Sequence, residues 1–262
     1  MKTDKDLEKI LKDKTSGSSE VLFKLNNYFK DIIGEPKKFK FTIQIVKKEL
    51  SHFSSVDNYV KSLETIYSTK SHQEIEDFLN TYYKIQLSKY QKLYKNSKPF
   101  LINAKTILTI SNSKTLAEFF KIWKKENRRL KVIVCESRPK YEGRIFARTL
   151  LHENIKVELI TDFMISLFIP KVDAVILGAD SILKNGNVIN KVGSLTAALL
   201  CKQLSKPFYV LTTKEKFTNR KTLRQNEQLK SEVWNYQNKN LTIKNIYFEE
   251  VPKKLITKII TD

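Results

Sequence analysis

The chain has 262 residues, with 48 Lys and Arg against 28 Asp and Glu, a formal charge of +20. Hydrophobic residues at 41% and aromatics at 11% exclude a wholly disordered chain, and only two cysteines, Cys135 and Cys201, exclude a disulfide scaffold or a cysteine-based zinc site. No run approaches the roughly 20 apolar residues of a membrane span, and the charged start Met1-Lys2-Thr3-Asp4-Lys5-Asp6 shows no signal peptide. The expectation is a soluble, cytoplasmic protein without a membrane partner.

Residues 1–97 read as a helical N-terminal domain. Leu7, Ile10 and Leu11 share one apolar face. After the polar break Thr15-Ser16-Gly17-Ser18-Ser19, the same period runs through Val21, Leu22, Leu25, Tyr28, Phe29 and Ile32. Gly34-Glu35-Pro36 stops that helix, because the residue before proline avoids the helical region. Helices are expected again over 54–69 and 71–95, the second opening with a cap at Ser71 and Glu74 three residues on. His52 and His72 stand alone and read as surface or packing residues.

Residues 98–262 read differently. Short β-branched runs alternate with amphipathic stretches, near 106–110, 131–135, 156–160, 174–177, 208–211 and 243–248. Nearly all-apolar strands between helices imply a parallel sheet covered on both faces. With the crossover rule this predicts an α/β class fold, a Rossmann-like doubly wound parallel sheet. Neither a G-x-G-x-x-G nor a P-loop motif follows a strand, so no dinucleotide or other cofactor is expected. The basic excess is lysine, and the seven arginines all lie at or after residue 128. Scattered lysine gives nucleic acid at most a non-specific, salt-sensitive attraction.

Ligands of open parallel sheets bind beyond the carboxyl ends of the strands, so the residues there are the candidates. After the first strand come Ser111-Asn112-Ser113, which can cap a helix and offer hydroxyls to a phosphate. After the second come Arg138 and Arg144, suited to an anion or to ion pairs with Glu136 and Glu142. After the fourth comes Gly178-Ala179-Asp180-Ser181, then the turn Asn185-Gly186-Asn187, then Asn190-Lys191 before a helix near Gly193. A carboxylate, an amide and an ammonium beside a helix N-terminus suit a phosphorylated polyol. Lys191 is alternatively an ion-pair partner of Asp180.

VIVCESRPKYEGR (132–144), LGADSILKNGNVINKVGSLTAALLCK (177–202) and FEEVPKKLITKIITD (248–262) carry a resemblance. They resemble the family that unites the alpha, beta and delta regulatory subunits of translation initiation factor 2B with methylthioribose-1-phosphate isomerase and ribose-1,5-bisphosphate isomerase. The resemblance implies a helical N-terminal domain, a dimerising Rossmann-like domain and a sugar- or nucleotide-phosphate pocket at the strand ends. It also implies that Asp180 matches the isomerase aspartate, whereas Ser111 stands at the position of the isomerase cysteine. Ser16-Gly17-Ser18-Ser19 stands where the isomerases carry an Arg-Gly-Ala type loop. An unactivated serine cannot shuttle a proton at neutral pH. The resemblance therefore implies a non-catalytic, regulatory relative of archaeal character, contacting the alpha subunit of initiation factor 2. The alternative is a divergent aldose-ketose isomerase. The expected ligand set is Ser113, Arg138, Arg144, Asn190 and Lys191, with no metal. The expected assembly is a homodimer through the C-terminal domain.

Overall fold

A computed structural model of the chain describes residues 3–13, 16–51, 53–223 and 227–262. Thr15 of the polar break, His52 and Arg224 lie outside the described residues. Five helices come first: α1 (Lys5–Leu11), α2 (Ser18–Asp31), α3 (Pro36–Leu50), α4 (Ser54–Thr69) and α5 (His72–Leu101). Proline at the first position of α3 and the Ser71–Glu74 capping box of α5 set two of the starts. Helix α3 is not among the helices expected from the sequence. Its run Phe39-Lys40-Phe41-Thr42-Ile43-Gln44-Ile45 alternates like a strand, yet Phe39, Thr42, Ile43, Val46 and Leu50 are the buried residues, at helical spacing.

Helix α5 is 30 residues long, about 45 Å at the helical rise. Its first half, through Ile75, Leu79 and Tyr82, closes the core of the N-terminal helices. Its second half, through Leu93, Tyr94 and Leu101, belongs to the core under the sheet. The helix thus runs unbroken through residue 97 and joins the two halves.

The sheet half alternates β1 (Thr106–Ile110), α6 (Lys114–Glu126), β2 (Lys131–Cys135), α7 (Glu142–His152), β3 (Lys156–Ile160), a short α8 (Ile165–Phe168) and β4 (Ala174–Leu177). The hairpin β5 (Ser181–Ile182) and β6 (Val188–Lys191) follows, then α9 (Ser194–Gln203), β7 (Phe208–Leu211), β8 (Phe248–Val251) and β9 (Lys258–Ile260). Six parallel strands take the order β3-β2-β1-β4-β7-β9, the doubly wound arrangement expected. Strand pleating sends Ile107 to the α5, α6 and α7 face and Leu108 and Ile110 to the α8 and α9 face.

The expected strand at 243–248 is corrected. Residues 243–247 are irregular, the strand begins at Phe248, and it pairs antiparallel with β6 in a separate sheet β5-β6-β8. The sixth strand of the main sheet is β9 instead. The backbone there is held by scattered bonds instead of a ladder: the Asn245 carbonyl accepts from the Gln228 N–H at 2.8 Å, the Tyr247 carbonyl from the Val192 N–H at 2.9 Å, and Ile246 makes a single bridge to Glu227. Among the described residues no helix is long and apolar enough to cross a membrane.

Candidate functional site

The order of the sheet reverses between β1 and β4, and the crevice beyond their carboxyl ends is a cavity of about 810 Å³. Its floor is the sheet side: Ser111, Asn112 and Ser113 after β1, Gly178 to Ser181 after β4, and Asn190 and Lys191 from β6. Its roof is the helical side: Ser16 to Ser19 at the start of α2, and Lys48 to Ser51 at the end of α3. Local sequence fixes these positions. A Cβ on Gly178 would sit 2.7 Å from the Ser113 hydroxyl, so a larger residue there would displace the side chain that caps α6. Ser113 caps α6 by accepting from the Leu116 N–H at 3.3 Å.

Asp180 faces the cavity with two cations in its field, Lys216 and Lys191. Burial raises its carboxyl above the usual carboxylate range, and the two lysines oppose that shift. Burial likewise lowers Lys216, whose Nζ donates to the Ala179 carbonyl at 2.6 Å. Lys191 does not pair with Asp180, as one reading of the sequence had it. Its Nζ bonds Glu142 Oε1 at 2.8 Å, with both side chains under a tenth exposed. The second Glu142 oxygen is buried and has no hydrogen-bond partner among the described residues. The Ser18 hydroxyl is in the same condition, at the start of a helix whose cap residue, Gly17, has no side chain to offer. A buried polar atom without a partner is costly, and these two belong to residues that line one cavity.

Ser111, Ser113, Asp180, Asn190 and Lys191 are thus brought together, whereas Arg138 and Arg144 are not. Glu142 turns inward at the start of α7, and the arginines lie on the outer side of that turn. Arg144 pairs with Glu136 at 2.7 Å and stacks on the Tyr141 ring. The N-terminus of α9 is not open to an anion either. Glu249 Oε1 already accepts from the Gly193 and Leu195 N–H groups, at 2.7 and 2.8 Å.

Sequence reasoning missed Lys216 and Arg220. Both follow β7, and the strand-end rule that picked out β1, β2 and β4 would have found them there. Among the described lining residues there is no thiol and no imidazole. Cys135 and Cys201 are buried in the core, where desolvation pushes each thiol up to about 12.

The cavity sits where the resemblance put a phosphate pocket, and the match to known proteins runs the length of the chain. A model of the initiation factor 2 subunit family matches residues 8–262. The chain belongs to that family. A putative translation initiation factor eIF-2B subunit 2-like protein of Pyrococcus furiosus is 35% identical over 156 residues, 60% of this chain and 55% of that protein. Ribose 1,5-bisphosphate isomerase of Methanocaldococcus jannaschii is 33% identical over 163 residues, covering 60% and 53%. The chain thus spans about half the length of the curated relatives it matches. The crystal structure of the Pyrococcus horikoshii translation initiation factor eIF-2B superposes with a TM-score of 0.81 at 26% identity, covering 97% of this chain and 93% of that one. The family thus includes both initiation-factor relatives and isomerases, and their shared fold is the one described above.

Proposed function

We propose that the chain is a regulatory member of this family that binds a sugar phosphate or nucleoside monophosphate in the cavity without converting it. The observation that carries this reading is the pairing of unsatisfied groups. Ser18 Oγ lies at the α2 N-terminus, where backbone N–H groups favour an anion, with Ser113 and Lys114 also lining that cavity. Glu142 Oε2 can accept a hydroxyl, as Asp180 can, with Asn190 and Lys191 beside them. A phosphate under the helices and a polyol over the sheet fill these two requirements together. Ser111 supports the non-catalytic half of the proposal, because its hydroxyl cannot match a thiol as an acid or base at neutral pH. Titration calorimetry with ribose 1,5-bisphosphate, methylthioribose 1-phosphate and adenosine monophosphate tests it. Saturable binding of at least one, with no aldose-ketose turnover, is the expected result; absence of binding by all three would refute the ligand.

A second reading, a divergent isomerase, is favoured by one observation. Asp180 is a carboxyl raised by burial, the condition an acid/base residue needs. Turnover that disappears in Asp180→Asn would establish it over the first. The proposed partners are the alpha subunit of initiation factor 2 and a second copy of this chain. Phe163 at 98%, Leu167 at 60% and Leu199 at 52% exposure give the sheet half apolar surface for such a contact. Light scattering at a dimer's mass, falling to a monomer's in Phe163→Lys/Leu167→Lys, is the outcome that supports it.

A further inference from the structure

Outside the cavity, the outer side of the β2–α7 turn gathers an unusual set of rings and cations. Two guanidiniums approach Tyr141, the Arg138 carbon 5.0 Å and the Arg144 carbon 3.9 Å from its ring centre, and Arg138 donates to its hydroxyl. Arg138 also donates to the Val233 carbonyl at 3.2 Å, and Lys140 lies 3.4 Å from Glu232. The long irregular segment before β8 is therefore laid along this turn. Next to Val233 it carries Trp234 and Tyr236, 57% and 49% exposed, whose rings stack at 4.6 Å with 20° between planes. Rings held for core packing are buried. These two are stacked on each other and open to water.

Glu136 offsets Arg144 and Glu232 offsets Lys140. Asp162 takes only backbone N–H groups, from Ser137 and Arg138. Among the described residues no carboxylate stands within ion-pair distance of the guanidinium of Arg138, or of Arg148 one turn along α7 from Arg144. We propose that the Trp234–Tyr236 stack and the arginines of this turn form a docking ledge for single-stranded nucleic acid. Unpaired bases offer flat faces to aromatic rings, and phosphodiesters take guanidinium groups. A duplex hides its base faces, and an acidic peptide answers the charge but not the stacked rings. The chain's overall charge of +20 supplies the long-range attraction. None of these side chains lines the cavity, and an unchanged thermal melt of each variant serves as the control for folding.

Trp123 is 5% exposed in the core, so quenching of tryptophan emission reports on Trp234. The probes are oligo(U) and oligo(dT) of about 12 nucleotides, titrated at about 50 and 200 mM salt. Saturable quenching is expected, weakening steeply at the higher salt. Trp234→Phe should keep binding of the labelled oligomer measured by anisotropy, whereas Trp234→Ala/Tyr236→Ala should weaken it about ten-fold or more. Arg138→Ala/Arg148→Ala should flatten the salt dependence. Three results would overturn the proposal: undiminished binding by the aromatic double variant, quenching and competition by polyglutamate equal to the oligomer's, or a fall from dimer to monomer mass in the same variant. The last would make the patch an interface between copies.

Discussion

At the residue scale, the Asp180 cluster makes two firm predictions. In the unfolded chain its carboxyl titrates near 3.8, and burial raises it in the fold. Above that pH the native state therefore holds more of this proton than the unfolded state. The group's contribution to stability is full at low pH and declines as pH rises through the raised value. Asp180→Asn lacks this decline. Urea unfolding from about pH 4 to 7 should show the variant gaining on the wild type as pH rises; a constant difference would contradict the assignment. The Lys191–Glu142 pair gives the second prediction. Both side chains are buried, so Lys191→Met leaves a carboxylate uncompensated and should cost about 3–5 kcal/mol. Adding Glu142→Gln should restore a large part of it, because the remaining amide carries no charge. Additive losses in that double-mutant cycle would mean the pair is not coupled.

At the element scale, glycine decides where α7 can sit. A Cβ on Gly143 would overlap the Cys135 carbonyl oxygen, so the first turn of α7 rests directly on the end of β2. Gly143→Ala must push helix from strand, and backbone cannot yield as a flexible side chain would. A loss of about 3 kcal/mol or an insoluble protein is expected. Gly34→Ala is the contrast, since nothing lies within 4 Å of its added Cβ. It should be neutral or gain about 0.4–1 kcal/mol through the unfolded chain. Thermal melts of the two variants check both statements. The elements themselves were mostly legible, because strands such as β2 and helices such as α6 carry their period in sequence. Helix α3 and the segment 243–247 were not. Each holds apolar residues whose spacing fits strand as well as its observed state, and packing made the choice.

At the scale of the whole molecule, the two halves are clamped over the cavity. Glu215, just past β7, accepts from Gln86 and Lys89 of α5 at 3.1 and 2.6 Å, and its carbonyl accepts from Asn58 of α4 at 2.8 Å. Ser54, one turn before Asn58 on α4, adds a hydroxyl contact with Ser181 at 2.6 Å. Glu215→Ala should loosen this clamp, seen as faster limited proteolysis between the halves and weaker ligand binding in calorimetry. A fragment of residues 98–262 lacks Leu93 and Tyr94, which complete the core beneath the sheet. It should aggregate or bind a hydrophobic dye, whereas a folded, soluble fragment would show that α5 is dispensable to that core.

The amino-acid sequence by itself determined the class of fold and the strand ends that border the cavity, with Ser111, Ser113, Asp180, Asn190 and Lys191 among the lining residues. Those follow from local period, turn chemistry and the topology that right-handed crossovers allow. Which charges meet was decided only in three dimensions. Lys191 found Glu142 rather than Asp180, Glu249 filled the α9 N-terminus, and Arg138 and Arg144 turned outward. Lys216 entered the cavity from beyond β7, and the serines of the α2 start came down onto it from the other half. Polar side chains far apart in the chain have no sequence spacing that fixes their pairing. Close packing selects the partners, because each buried group must find one among the few that the folded chain brings within reach.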